Sequence, residues 1–136
     1  FGAPFMPRPP SIYADMLSMK IRENNATCGL STTGGIAGGA DASSRIKIRS
    51  TRNLLNAAIN GNLDNVVFVK DERFGFEIPT TCEGVPDRIL QPRGTWDDEN
   101  RYDNVANLLA QMFIENFEQY ADGCSDEVIA AGPKPV

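Results

Sequence analysis

Four cationic side chains, Arg45, Lys47, Arg49 and Arg52, fall within eight residues of a chain whose formal net charge is -5. Arg45 comes first, directly after a small-residue loop. A guanidinium in that position can lie flat on a ligand's planar ring or grip a carboxylate with its paired N–H groups. The same pattern also suits a solvated strand face followed by an arginine at a helix start, and the residues alone leave both readings open. Thr51 has two uses as well. Its hydroxyl can cap a helix by accepting from a backbone N–H, which local rules favour, or it can bond a ligand at the helix start. Arg73, Arg88 and Arg93 lie apart in turn-rich stretches and read as surface residues. The carboxylate pairs Asp71-Glu72 and Asp97-Asp98 sit in turn or cap contexts and are not candidates for acid–base work.

The loop before Arg45 reads TTGGIAGGADASS over residues 32–44. Its glycines invite comparison with a phosphate-binding loop, which needs GxxxxGK[ST] so that a lysine reaches the terminal phosphates and a hydroxyl reaches the metal. No lysine follows until Lys47, so the segment reads as a connecting loop. The chain has no histidine. That removes Ser-His-Asp and Cys-His catalysis and most transition-metal sites. Cys28, Cys82 and Cys124 are widely spaced, odd in number and without a CxxC pair, so reduced thiols are expected rather than zinc or disulfides. The acidic balance argues against general nucleic-acid binding, which leans on excess Lys and Arg. The apolar runs are short, as in Val66-Val67-Phe68-Val69, far from the ~18 residues of a membrane span. With no secretory-type N-terminus, the expected setting is cytoplasmic, without nucleic-acid or membrane partners. The start on Phe1-Gly-Ala-Pro-Phe5 reads as the interior of a longer protein.

The expected fold class is α/β, with mixed short strands and about three helices, and 136 residues suffice for one core. Pro4, Pro7, Pro9 and Pro10 make an extended lead-in. Ser11 is the expected cap of a helix reaching about Glu23, with Ile12, Met16, Leu17 and Met19 at helical spacing. Ala26–Ser31 is a candidate strand. Arg45–Arg49 alternates charged and apolar residues, the period of a half-buried strand. Ser50 or Thr51 then caps a helix with a buried stripe of Leu54, Leu55, Ala58 and Ile59, stopped by Asn60-Gly61. Strand, cap and helix in succession make a β–α junction, a place where α/β proteins present ligands. Val66–Val69 and the alternation Phe74, Phe76, Ile78 before Pro79 read as strands. Residues 80–96 read as surface turns. Asp97-Asp98-Glu99 puts acid at the start of a last helix running to about Tyr120. Its face of Tyr102, Val105, Leu109, Met112, Phe113, Phe117 and Tyr120 reads as core. The tail after it reads as pinned or frayed.

In this order, the motifs resemble the C-terminal part of ATP-type phosphoenolpyruvate carboxykinases. The resemblance rests on Phe1-Gly-Ala-Pro-Phe5, Tyr13-Ala14-Asp15-Met16-Leu17 and Ser44-Arg45-Ile46-Lys47-Ile48-Arg49-Ser50-Thr51-Arg52. It continues through Asn60-Gly61-Asn62-Leu63-Asp64, Phe74-Gly75-Phe76, Ile78-Pro79, Gly84-Val85-Pro86 and Leu90-Gln91-Pro92-Arg93. It closes on Leu108-Leu109, Phe113, Asn116-Phe117 and Ala130-Ala131-Gly132-Pro133, and so covers essentially all of the chain. It implies that residues 1–136 are an incomplete C-terminal part of a larger nucleotide-binding domain. The family converts oxaloacetate and ATP into phosphoenolpyruvate, carbon dioxide and ADP in gluconeogenesis, using Mg²⁺ and often Mn²⁺. The resemblance places the phosphate loop, metal ligands and substrate arginines upstream of this segment, so no catalytic or metal-ligating residue is expected here. It gives Arg45, Ile46 and Thr51 the contacts with the adenosine part of ATP. The implied partners are ATP or ADP and the remainder of the carboxykinase chain. The sequence departs from the family where an Asn-Thr-Gly-Trp motif becomes Thr32-Thr33-Gly34-Gly35, and where a lysine before the signature arginine becomes Ser44. A non-catalytic remnant or interaction module, binding nucleotide weakly or not at all, is the alternative from another class.

Overall fold

A computed structural model describes residues 3–31, 34–38 and 44–136. After a 3-10 turn at Ala3–Phe5, helix α1 spans Pro10–Asn24. Ser11 does not cap it. The helix begins one residue earlier, on Pro10, and its cap position is Pro9, with no side-chain cap bond. Proline suits a first helical residue because its φ is already helical and its missing N–H would have gone unpaired anyway. Asn25 ends α1 in the left-handed region, φ 47°, and Ala26 N–H returns to the Ile21 carbonyl at 3.0 Å. The strand expected over Ala26–Ser31 does not form. Its residues are exposed, and no described strand lies alongside to pair its N–H and C=O groups.

Strands β1 (Gly35–Ile36) and β2 (Ser44–Arg45) pair antiparallel, Gly35 opposite Arg45 and Ile36 opposite Ser44. The strand expected through Arg49 is therefore cut short, because helix α2 already starts at Ile48 and runs to Ile59. Five residues of alternation also satisfy a helix: Ile48, Leu55 and Ile59 share one helical face. Lys47 occupies the cap position in an extended conformation, and no side chain caps it. Ser50 and Thr51 lie inside the helix, their N–H groups reaching the Lys47 carbonyl at 2.9 and 3.3 Å. The chain leaves α2 through Gly61 at φ 72°, as the Asn-Gly pair led one to expect.

Strands β3 (Phe68–Lys70) and β4 (Glu77–Pro79) form a second antiparallel pair, with Val69 opposite Ile78. Each is shorter than its sequence run. Asp71 shapes the turn between them, its Oδ1 accepting from the N–H groups of Arg73 at 3.0 Å and Phe74 at 2.6 Å. The region after β4 contains the short helix α3 (Asp87–Leu90) and a 3-10 turn at Pro92–Thr95. Ala57 of α2, Cys82, Val85 and Leu90 form the buried cluster, flanked by Leu54 and Ile78.

Helix α4 spans Glu99–Phe117 and continues as a 3-10 turn through Gly123; α5 is Asp126–Ala130. Asp98 caps α4, its carboxylate accepting from Asn100 N–H at 2.9 Å and Arg101 N–H at 3.4 Å. Asp98→Ala should cost about 1 kcal/mol of helix stability. Asp97→Ala, outside the cap, should cost little; helicity by circular dichroism compares the two.

The long helices are not covered. Of α2, Ser50 and Ala57 are buried, while Leu55 and Ala58 are exposed and Ile59 is 72% exposed. Of α4, the small residues Ala106 and Ala110 face inward, while Val105, Leu109 and Met112 are exposed and Phe113 is 53% exposed. The expected core stripes are thus corrected in both helices: each carries a second apolar face directed outward. The chain's accessible surface is 10690 Å². A compact monomer of this mass exposes about 7,000 Å².

Candidate functional site

Arg45 closes β2 and is exposed. Ile46 follows, half-buried, and its N–H extends the hairpin by donating to the Gly34 carbonyl at 3.2 Å. That N–H is therefore engaged, whereas among the described residues no main-chain N–H outside the regular elements bonds the Ile46 carbonyl. Two residues later α2 begins, and Thr51, half-buried, stands on its first full turn. The structure places Arg45 and Ile46 together at the hairpin's end, with Thr51 one helical turn beyond.

The electrostatics of this junction favour an electron-rich ligand. The first turn of α2 contains no acidic residue, and the N–H groups of Ile48 and Arg49, ahead of the Ser50 N–H that bonds the Lys47 carbonyl, have neither an intrahelical acceptor nor a side-chain cap. That end of the helix carries partial positive charge. Among the described residues, no carboxylate forms an ion pair with Arg45, Lys47, Arg49 or Arg52. Asp41, Thr32 and Thr33 lie outside the described residues. Gly35, at the position where the resemblance gives tryptophan, stands directly across the strand pair from Arg45 and is exposed.

A second polar cluster went unread in the sequence. Arg73 and Arg93, which read as surface residues, converge on Asp103 of α4. Arg73 donates from Nη2 to Asp103 Oδ1 at 2.9 Å and from Nε to Asn107 Oδ1 at 2.8 Å. Arg93 grips the same carboxylate through Nε at 3.0 Å and Nη2 at 2.9 Å, and reaches Glu99 with Nη1. Asn107 continues the network to the tail, donating to the Val136 carbonyl at 2.6 Å and accepting from Val136 N–H at 3.1 Å. Lys134 N–H donates to the Arg73 carbonyl at 2.7 Å. The tail is pinned. The available signal was Glu99, Asp103 and Asn107 at four-residue spacing, one polar stripe along α4. Hydrogen bonding from Arg93 holds the Asp103 carboxyl below the usual carboxylate range. The cleft of about 450 Å³ between β3, the 3-10 turn and α4 is lined by these same arginines, already committed to Asp103.

Burial raises the Cys82 thiol, with Glu83 adding to it, so Cys82 is an inert packing residue. Burial also raises Tyr102, with Asp71 as the next contributor. Among the described residues, no group of three or more His, Cys, Asp or Glu converges as a metal site. No helix among the described residues is long and apolar enough to cross a membrane.

Comparison with known proteins points one way. A family model described as phosphoenolpyruvate carboxykinase matches residues 1–88. A protein of Ruegeria pomeroyi named phosphoenolpyruvate carboxykinase (ATP) is 48% identical over 130 residues, covering 96% of this chain and 24% of that protein. The protein of the same name from Caldanaerobacter subterraneus is 47% identical over 134 residues, 98% of this chain and 26% of that one. That of Thermus thermophilus is 46% identical over 134 residues, 98% and 25%. The chain spans about a quarter of the length of the curated relatives it matches. With the model match and these identities running through the strand–helix junction and beyond, the chain belongs to the ATP-type phosphoenolpyruvate carboxykinase family.

Proposed function

We propose that residues 1–136 form the C-terminal part of a nucleotide-binding domain and supply the adenosine contacts of an ATP-dependent phosphoenolpyruvate carboxykinase. The reaction would convert oxaloacetate and ATP to phosphoenolpyruvate, carbon dioxide and ADP, in the cytoplasm. One observation carries the reading: an exposed arginine stands beside an uncapped, acid-free helix start. Arg45 lays its guanidinium against the base or ribose. The Ile46 carbonyl accepts from the exocyclic amine of adenine, and its side chain walls the base. The Thr51 hydroxyl, free of any capping duty, bonds the ribose or base edge. These groups bind and orient. Phosphoryl transfer depends on positioning and charge stabilisation at the phosphates, supplied by the rest of the enzyme along with its metal ions. The outward apolar faces of α2 and α4 are the surfaces that the remainder of the chain covers. The test is ATP binding and turnover by a chimera in which this segment replaces the matching quarter of the Thermus thermophilus relative, compared with its Arg45→Ala variant.

A further inference from the structure

Among the described residues, the junction that carries Arg45, Ile46 and Thr51 is held by a short hairpin, by the buried Ser50 and by one side-chain hydrogen bond from α2. The β1–β2 pair is two residues long and separate from β3–β4. The apolar contacts of α2 lie further along the helix, at Leu54 and Ala57. Asn53, two residues after Thr51, is the polar tether: its Nδ2 donates to the Gly84 carbonyl at 3.0 Å, 31 positions away in sequence. Gly84 sits in the tight turn closed by Val85 N–H to the Cys82 carbonyl at 3.0 Å, and its φ is +71°, a conformation that glycine adopts without penalty. A Cβ built on Gly84 would lie 2.4 Å from Asn53 Nδ2. The Asn53 amide thus occupies the space that a side chain at residue 84 would need. Cys82 and Val85, on either side of the contact, are buried in the cluster with Ala57.

We propose that Asn53 and Gly84 are a positioning pair for the adenosine site. Together they set the rotation and height of the first turns of α2, and so the places of the Thr51 hydroxyl and the Arg45 guanidinium. Neither touches the nucleotide. The inference rests on the adenosine reading of that junction. Without the tether, Leu54 and Ala57 still hold the helix to the core and Ser50 stays buried, so the fold survives while the first turns shift slightly.

The experiment uses the chimera, with ATP as the varied substrate. Asn53→Ala, and Asn53→Asp, which keeps the volume and loses the donor, should each raise the KM for ATP about three- to tenfold, the loss of one hydrogen bond, with kcat changed less than about twofold. Gly84→Ala should raise KM in the parent and add less in the Asn53→Ala background, where the clashing amide is gone. The φ strain at residue 84 is common to both backgrounds and cancels in the cycle. Arg45→Ala serves as the control. If Arg45→Ala raises KM while both Asn53 variants leave it unchanged, the positioning role is overturned and the adenosine reading stands. If Arg45→Ala has no effect on KM, the adenosine reading and this inference fall together. Lowered thermal stability or kcat with unchanged KM, or additive Gly84 and Asn53 effects, overturns the pairing.

Discussion

The isolated 136-residue chain should melt without a sharp cooperative transition, bind apolar dyes at neutral pH and self-associate as its concentration rises. The cause is the mismatch between its surface and its mass. It exposes 10690 Å², about half as much again as a compact monomer. No large side chain among the described residues is fully enclosed, and Ala110 is the most buried member of α4. Leu108, Met112 and Phe113 instead form an exposed apolar face, and Ile48, Leu55 and Ile59 another on α2. Faces of this kind are sites of association. Replacing Leu108 and Met112 with serine should therefore suppress association of the isolated chain. In the chimera, where the remainder of the enzyme covers this face, the same change should destabilise by about 2–5 kcal/mol per site. That reversal of sign distinguishes a face awaiting its own chain from an ordinary greasy surface. A sharp, monomeric, calorimetrically two-state transition of the isolated chain would contradict the account.

Asp103→Ala should release the tail and loosen the β3–β4 turn at once. The single carboxylate answers two arginines, and its removal leaves Arg73, largely enclosed, without its charge partner. Amide exchange reads the result. Protection of Lys134 and Val136, whose N–H groups bond Arg73 and Asn107, should fall together with that of Phe74. A change confined to α4 would show that the tail is held by other means. The pH dependence has a fixed sign. Because the folded-state pKa of Asp103 is depressed, its contribution is complete above the unfolded value of about 3.9. It is lost as pH falls through the lower folded value. Tail protection should therefore persist from neutral pH to about pH 4 and vanish only in stronger acid. Asp103→Ala should remove that acid step.

The elements readable in the sequence were those fixed by local chemistry. The acidic start of α4 became the Asp98 cap, the Asn60-Gly61 stop kept its positive φ, and the alternation ending at Pro79 marked the end of β4. The failures share a cause. Ala26–Ser31 has no strand beside it to pair with among the described residues. Leu55, Ile59, Val105 and Leu109 read as core because apolar stripes usually are, yet α2 and α4 turn these faces outward and bury Ala57, Ala106 and Ala110 instead. Periodicity reports that a face is apolar, not which neighbour covers it. Thr51 was read as a cap by type, whereas the helix start falls three residues earlier, at Ile48. The Arg45–Thr51 stretch was legible as a strand running into a helix, with the change coming earlier than the alternation suggests, at Ile48. The Arg73–Asp103–Arg93 cluster was not, since its members lie up to 30 positions apart and only the fold brings them together.

Titrating ATP into the chimera and its Arg45→Ala variant shows whether these residues grip the adenosine end of ATP. In the proposed role Arg45 binds without entering the phosphoryl-transfer step, so its loss should weaken ATP binding and raise the KM for ATP about two- to thirtyfold, the worth of one guanidinium against a ring. The value of kcat should change far less, the mark of an interaction equal in ground and transition states. Normal ATP binding with turnover alone lost would contradict it.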